Sequence, residues 1–565
     1  MSIGLIDTPA PRWHAWRVDV SFGTIWEAIA RDQPDAVAIS EPGRDYTFAE
    51  WDDRAARLAA ALEAAGVGPG DTVACYLYNG AAYLETVFAA FKLGAVPVNA
   101  NYRYTAGELT ALLADADAAA LVFSGDLAPN VAHAARTLPS LRLLVRAGEP
   151  SSGDEPGTRS DPRPDAVGLE ELYRATEPRA PEPRPGADRL FMYTGGTTGK
   201  PKGVIWPLSE LLHSMQAGVF QRLGLDRAPG TLDELVAAAR SARARDRSPV
   251  MLPAVPLMHA TGLFNCMGTL LAGGRVVTAQ PGRLDPGHVW ATVAAQRVRT
   301  LVVAGNAVCQ PLVDELAAAE RAGRPHDLSS LEGVTSSGTV LSDRLKRALH
   351  ERAAVTITDA LASSEGGPFA FAVTTSAADL PSRFFPAAAT RVLAADGTEV
   401  TPGSGQVGTL AFGGPIPAGY YKDTAKTSAT FRTVGGTRYS MPGDLVTVDA
   451  DGAIRFLGRG AGVINTGGEK VHPQEVEDVL LAQPGVTDAS VVGVPDDTWG
   501  ERVAAVVATA SPTLTEQDLA DAVRRQLAGY KVPRTIVLLP ALPRTPTGKL
   551  ELAQIRRLAA GHRPD

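Results

Sequence analysis

The chain predicts an α/β protein: a large N-terminal domain of helix-covered β-sheets, followed by a small α+β C-terminal domain. Three observations carry this. At 565 residues the chain is too long for one hydrophobic core, so two or more domains are expected. Its first third alternates apolar stripes of helical period with short apolar runs of strand type, the pattern of parallel strands covered by helices. Near its C-terminal end, Gly458, Gly460 and Gly462 fall within five residues, which suits a hinge. The boundaries follow: residues 1–458, a hinge at 459–462, and a mobile unit at 463–565.

Taken in order, Phe48 to Ala65 carries Trp51, Ala55, Leu58 and Leu62 on one helical stripe closed by Gly66. Thr72 to Tyr78 reads as a buried strand and Ala81 to Leu93 as a helix. Glu149 to Asp188, rich in Pro, Gly, Ser and charge, reads as a surface excursion. Arg222 to Pro249 reads as an insertion whose core, Leu232 to Ala244, is a solvated helix beside the mouth of a site, with substrate covering as the sharper alternative. Gly403 to Gly408 matches Gly-x-Gly-x-x-Gly, but it leads into strand-like Thr409-Leu410-Ala411-Phe412, whereas a dinucleotide fingerprint must open a helix; a hairpin turn is expected. In the small unit, Pro473 opens a helix carrying Val476, Val479 and Leu480. Val486 to Val494 and Ala504 to Ala508 read as strands. Thr515-Glu516-Gln517-Asp518 resembles a capping box for a helix through Leu527.

Composition narrows the function classes. Apolar residues make up 45% and charged residues 21%, ordinary for a soluble globular protein, and the formal net charge is -8. That acidity, without a dense basic cluster, argues against nucleic acid. No membrane span and no signal peptide are expected. The three cysteines, Cys75, Cys266 and Cys309, lack metal-ligand spacing and are odd in number, which fits a reducing cytoplasm. Oligomeric state is unreadable; a homodimer is compatible with the sequence.

The most informative stretch is Tyr193-Thr194-Gly195-Gly196-Thr197-Thr198-Gly199-Lys200-Pro201-Lys202-Gly203, after the strand-like run Leu190-Phe191-Met192. Glycines let backbone N–H groups converge on an anion, while threonine hydroxyls and lysine ammoniums add donors and charge. The loop is built for a polyphosphate, yet its spacing is not that of a Walker A loop.

That stretch resembles the phosphate loop of the adenylate-forming superfamily, and the resemblance runs from about Thr24 to about Leu552. The supporting motifs stand in the family's order: Lys92 to Asn99, Pro256-Leu257-Met258-His259, Ser336-Ser337-Gly338-Thr339, Asp359 to Glu365, Tyr439 to Asp444, Gly458-Arg459, Gly467-Gly468-Glu469-Lys470-Val471, and Arg544-Thr545-Pro546-Thr547-Gly548-Lys549. The resemblance implies an AMP- and pyrophosphate-forming ligase using ATP, Mg²⁺ and coenzyme A. Thr194, Gly195, Gly196, Thr197, Thr198, Gly199 and Lys202 would wrap the phosphates. Glu365, with Thr194, would hold Mg²⁺, and Lys549 would bridge the α-phosphate and the carboxylate. Ser337, Gly338, Thr339, Asp359, Ala360, Leu361 and Ser364 would border the adenine. Asp444 would accept the ribose hydroxyls, with Arg459 adding a contact. His259 would gate an acyl pocket walled by Phe264, Asn265, Cys266, Asn306, Ala307, Thr339 and Ala362. Gly467, Gly468, Lys470 and Lys531 would meet coenzyme A.

The chain departs from the family where Leu361 replaces a tyrosine that stacks on adenine and Ala362 a glycine bordering the acyl pocket. Ala461 likewise replaces a charged hinge residue. The motifs resemble in particular those of actinobacterial fatty-acid and steroid-acid CoA ligases. Three alternatives remain: a diazotase of secondary metabolism that activates nitrite for an aromatic amine, a stand-alone enzyme loading a carrier protein, and a non-catalytic paralogue.

Overall fold

A computed structural model describes residues 20–148, 166–195, 201–225, 229–279, 282, 284–339, 341–459, 462–466, 469–496, 500–527, 529–545 and 550–561. Two large sheets organise the N-terminal part. One runs in the order Gly419–Tyr420, Pro201–Pro207, Arg189–Gly195, Val96–Asn99, Thr72–Tyr76, Ala118–Ser124, Leu143–Ala147, Val167–Gly168. From Val96–Asn99 outward its strands pair in parallel, as helix–strand alternation demands. The other runs Phe385–Pro386, Gly366–Thr374, Thr356–Ser363, Gly333–Ser337, Thr300–Val303, Val250–Pro253, Arg275–Val277, Val37–Glu41, Arg44–Thr47. A third, antiparallel sheet joins Thr390–Leu393, Gly408–Phe412, Phe431–Val434, Thr437–Ser440, Asp444–Val448 and Ile454–Arg459.

The helices bury one face each, for reasons visible in sequence. Phe48–Ala64 opens with a capping box, Thr47 with Glu50, and buries Trp51, Ala55, Leu58 and Leu62. It meets Phe22–Asp32 and Ala81–Leu93 in an aromatic cluster where Trp51 lies 4.5 Å from Phe88 and 5.1 Å from Trp26, ring centre to ring centre. Lys92 is buried here and ion-pairs with Glu27 and Asp52, each at 2.7 Å. The three cysteine thiols are free and buried, and burial pushes the Cys309 thiol up to about 12.

The small unit has the expected elements. Pro473–Leu481 starts on its proline and buries Val476, Val479 and Leu480. The strands Val486–Asp496 and Gly500–Thr509 pair antiparallel, and Thr535–Leu539 adds in parallel. Thr515 and Asp518 form the reciprocal cap of Glu516–Gln526. Gly403 and Gly405, both at positive φ, turn the chain into the strand Gly408–Phe412, so the dinucleotide-like motif is a turn. Gly460 and Ala461 of the expected hinge lie outside the described residues.

Two expectations need correction. Within the expected surface excursion, residues 149–165 lie outside the described residues, but Leu169–Ala175 is a helix that buries Leu169, Leu172 and Tyr173. The Tyr173 phenol donates to the buried Glu85 at 2.8 Å, and that anchor outweighs the polar composition around it. The insertion helix Leu232–Ala244 has the expected bounds but is not merely solvated. It buries Leu235, Val236, Ala239 and Ala242 and packs on Phe22–Asp32. Arg240 pairs with Asp32, and Arg243 donates to Gln33 at 2.7 Å and to the Gly273 carbonyl at 2.8 Å. Gly273 follows the C-terminal end of the helix Ala260–Leu271, so the insertion braces the end opposite His259 rather than a site mouth.

Candidate active site

The phosphate-loop stretch is a hairpin: Arg189–Gly195 and Pro201–Pro207 pair antiparallel, with Thr194 opposite Lys202 and Gly195 opposite Pro201. Gly196, Thr197, Thr198, Gly199 and Lys200, between the two strands in sequence, lie outside the described residues. Asn99, at the end of the neighbouring strand, fixes the stem. Its amide oxygen accepts the Tyr193 N–H at 2.6 Å, and its amide nitrogen donates to the Tyr193 carbonyl at 2.9 Å and the Met258 carbonyl at 2.7 Å. Gly203 is required beside it, because a Cβ there would come within 2.7 Å of the Tyr193 ring. Lys202 ion-pairs with Asp423 at 3.1 Å. The Asp423 carboxyl is held below its ordinary range, first by the Lys426 N–H and then by Lys202.

Glu365 sits with Ser364 in the turn joining Thr356–Ser363 to Gly366–Thr374, where Ser363 faces Gly366. Each carboxylate oxygen accepts one hydroxyl: Tyr420 at 2.8 Å and Ser364 at 3.0 Å. The turn is held by Ser440, which donates to the Glu365 carbonyl at 2.5 Å, and by the Trp206 indole N–H, which donates to the Ser364 carbonyl at 2.9 Å. Among the described residues no three His, Cys, Asp or Glu side chains gather as a closed metal cage. One oriented carboxylate with spare lone pairs fits instead a hard cation such as Mg²⁺, which keeps several waters and shares phosphate oxygens.

On the opposite sheet, Ser337 ends the strand Gly333–Ser337 beside Ala360, and Gly338 turns at φ +94°. Thr339 donates to the Ala304 carbonyl at 3.1 Å, and the Asn306 amide oxygen accepts the Ser342 N–H at 2.8 Å. Leu361 pairs with Ala370, and Ala362 occupies the irregularity between Leu361 and Ser363. The Asp359 side chain is occupied elsewhere. It ion-pairs with the buried Lys346 at 2.9 Å, so its backbone alone remains for a nucleotide. Burial raises its pKa and Lys346 opposes the rise. Asp444 is buried and faces Arg459 across two antiparallel strands.

His259 precedes the helix Ala260–Leu271, and two asparagines fix its approach. Asn79 accepts the Leu257 N–H at 2.7 Å and donates to the Val255 carbonyl at 2.9 Å, while Asn99 holds Met258. Phe264 meets the Trp206 ring edge-on at 6.0 Å, and the Asn265 amide donates to the Thr261 carbonyl of its own helix at 2.9 Å. Ala307 lies in the helix Gly305–Arg321 and Cys266 is buried.

In the small unit, Lys549 lies outside the described residues, but its flanks pair: Arg544 bridges Leu550, and the Arg544 guanidinium holds Asp488 at 2.5 Å. Gly467 and Gly468 also lie outside; they separate Ile464–Thr466 from Glu469–Val471, in which Lys470 faces Asn465. The Lys531 ammonium pairs with Glu475, so any phosphate must compete for it. Sequence reading missed Asn79, Tyr420, Asp423 and Lys346 as site-forming residues. A polar residue at or just beyond the C-terminal end of a buried parallel strand, as Asn79 and Asn99 are, was the available signal.

The AMP-binding enzyme family profile matches residues 26–421, and that of the AMP-binding enzyme C-terminal domain matches 475–549. The chain belongs to the AMP-binding enzyme family. This AMP-binding enzyme is 37% identical over 530 residues to the 3-oxocholest-4-en-26-oate–CoA ligase of Rhodococcus rhodochrous, covering 91% of this chain and 92% of the relative. It is 38% identical over 528 residues to the medium/long-chain-fatty-acid–CoA/3-oxocholest-4-en-26-oate–CoA ligase of Mycolicibacterium smegmatis, with the same coverage. Its fold matches the anthranilate CoA ligase AuaEII solved with anthranoyl-AMP, at a TM-score of 0.80, 22% identity, and coverage of 97% and 99% of the two chains. Relatives named as CoA ligases do not favour the nitrite-activating alternative. Among the described residues of this AMP-binding enzyme, no helix is long and apolar enough to cross a membrane.

Proposed function

We propose that this AMP-binding enzyme is an ATP-dependent acid–CoA ligase acting on an apolar acid of the medium-to-long fatty or steroid kind. A carboxylate oxygen attacks the α-phosphorus of ATP, and the bond to pyrophosphate breaks. The thiol of coenzyme A then gives up its proton and attacks the acyl carbon, and AMP leaves. The observation that carries this reading is the tether of two charged groups, Lys202 and Glu365, to the single span Tyr420–Asp423 beside the phosphate hairpin.

Each residue has one task in this reading. Thr194 through Lys202 bind the β- and γ-phosphates, and Asp444 orients the ribose. Lys549 offsets charge growing on the α-phosphate, the kind of stabilisation whose loss costs about a hundredfold to a thousandfold in rate. Glu365 and Thr194 would hold Mg²⁺, which supplies charge neutralisation on the phosphates when bound. Phe264, half-buried and backed by the buried Trp206 ring, offers the acid an apolar wall, and Leu361 packs on adenine without stacking. Residues 459–462 form the hinge about which residues 463–565 turn between the half-reactions, bringing Gly467, Gly468, Lys470 and Lys531 to coenzyme A. The three buried thiols suit the cytoplasm. Two copies would each carry a whole site, so a homodimer is not required for activity.

The test is pyrophosphate release across fatty, steroid and aromatic acids and nitrite, with and without coenzyme A and arylamines. Expected are release with apolar acids and acyl-CoA formation only when coenzyme A is present. Formation of ADP would sink the reading. Nitrite-dependent AMP with an arylamine would select the diazotase, and mass gain on a carrier protein would select carrier loading.

A further inference from the structure

The span Gly419–Lys426 lies outside the phosphate hairpin, yet it reaches two charged groups of the site, Glu365 and Lys202. Gly419–Tyr420 extends the sheet beside Pro201–Pro207, with Tyr420 opposite Val204, and the Tyr421 N–H donates to the Gly203 carbonyl at 2.7 Å. From there the Tyr420 phenol reaches Glu365 and the Asp423 carboxylate reaches Lys202. The span is itself stiffened. The Thr427 hydroxyl accepts the Tyr420 N–H at 2.9 Å and donates to the Asp423 carbonyl at 2.7 Å. The Asp423 carboxylate caps the helix Thr424–Thr430 through the Lys426 N–H at 2.9 Å. The Lys426 ammonium lies 4.3 Å above the Tyr420 ring, which is buried and packs at a tilt 5.9 Å from Phe431, ring centre to ring centre.

We propose that Tyr420 and Asp423 are positioning residues that set the spacing between the metal-holding carboxylate of Glu365 and the phosphate-binding ammonium of Lys202. The proposal rests on the roles given to Glu365 and Lys202 above. A carboxylate free to rotate offers a cation several poor geometries; with one oxygen held by a buried phenol and the other by the adjacent Ser364 hydroxyl it offers one, and only the phenol ties it to the span that holds Lys202. A lysine on a four-carbon stem wanders unless a partner holds it. Both partners here stand four residues or fewer apart on one rigid span, so the two groups keep register with each other.

The test uses the full-length enzyme without acid, so that ATP is bound but not consumed. Calorimetry gives ATP affinity with and without Mg²⁺; pyrophosphate exchange with acid then gives kcat and KM. Glu365→Gln is the benchmark. Tyr420→Phe should leave magnesium-free ATP affinity unchanged and raise the Mg²⁺ concentration for half-maximal binding about tenfold, as expected for a hydrogen bond to a charged group. In Asp423→Asn two effects on ATP affinity oppose each other: lost alignment of Lys202 weakens it and lost repulsion from the carboxylate strengthens it. Affinity should therefore stay within about threefold while kcat falls about tenfold. Asparagine still caps the helix, so this arm carries the test should Tyr420→Phe misfold. An unshifted magnesium curve in a folded Tyr420→Phe, or undiminished kcat with tighter ATP in Asp423→Asn, overturns the proposal while Glu365→Gln still shows the effect. A benchmark without effect overturns the metal-holding role of Glu365 first, and this proposal with it.

Discussion

Asn99 grips both backbone polar groups of Tyr193 with one side chain, accepting from its N–H at 2.6 Å and donating to its carbonyl at 2.9 Å. Its second donor contact, to Met258, ties the phosphate hairpin to the approach of His259. Asn99→Ala would leave three buried backbone groups short of a partner. We expect a loss of about 2–4 kcal/mol in urea unfolding. We also expect a raised KM for both ATP and acid, since one staple serves both sides. A change confined to one substrate would contradict that link.

Lys346 and Asp359 form an ion pair in which each side chain is 5% exposed or less. Lys346→Ala should cost about 3–5 kcal/mol by stranding a buried charge, whereas Lys346→Met with Asp359→Leu should cost far less. Chemical unfolding of the three proteins decides. Equal losses in both variants would mean that the pair is itself strongly stabilising.

The Arg544–Asp488 pair and the Arg544–Leu550 bridge fix residues on either side of the undescribed stretch that contains Lys549. Lys549→Ala should cut adenylation about a hundredfold to a thousandfold while leaving nucleotide affinity largely intact. Asp488→Ala should give a milder version of the same split, about threefold to tenfold. Thioester formation from preformed acyl-AMP should be spared in both. Equal loss in that second step would give Lys549 and the Arg544–Asp488 pair a part in both half-reactions.

Burial pushes the Glu477 carboxyl up to about 7; the Val491 N–H opposes this at 2.7 Å, and Asp478 and Asp488 reinforce it. The folded form therefore holds a proton that the unfolded chain releases near 4.5. Below that value the contribution to stability is whole. It is lost as pH rises from about 4.5 to 7, and nothing further changes above. Glu477→Gln should nearly match the parent at pH 4.5 and exceed it by about 3 kcal/mol at pH 8. Thermal unfolding at the two pH values measures this, and a parallel pH dependence in both proteins would refute it.

Local signals were the legible part of this chain. The helices Ala81–Leu93 and Leu232–Ala244 have the bounds expected from sequence. The capping box at Thr515 was read from residues three apart, and the one at Thr47 has the same spacing. The glycine-rich loop announces itself because its chemistry is written in consecutive residues. What stayed hidden is non-local. Asn99 and Tyr193 are 94 residues apart, and Tyr420 and Glu365 are 55 apart. No period or spacing relates such pairs; the sheets bring them together. The burial of Leu169–Ala175 was hidden for the same reason, because its anchor, Glu85, lies on a different helix. The side chain of Asp359 was legible as acidic but not as engaged, since Lys346 sits on the separate helix Asp343–His350.

The three sheltered sulfhydryls have a practical side. Cys75, Cys266 and Cys309 are all inside, and burial raises their pKa values, so each stays protonated and out of reach of a disulfide reagent while the fold holds. In a reaction mixture the fast-titrating sulfur is then the cosubstrate's own. Its disappearance can be followed by simple colorimetry against native enzyme with almost no background, and any slow signal from protein alone becomes a clock for unfolding.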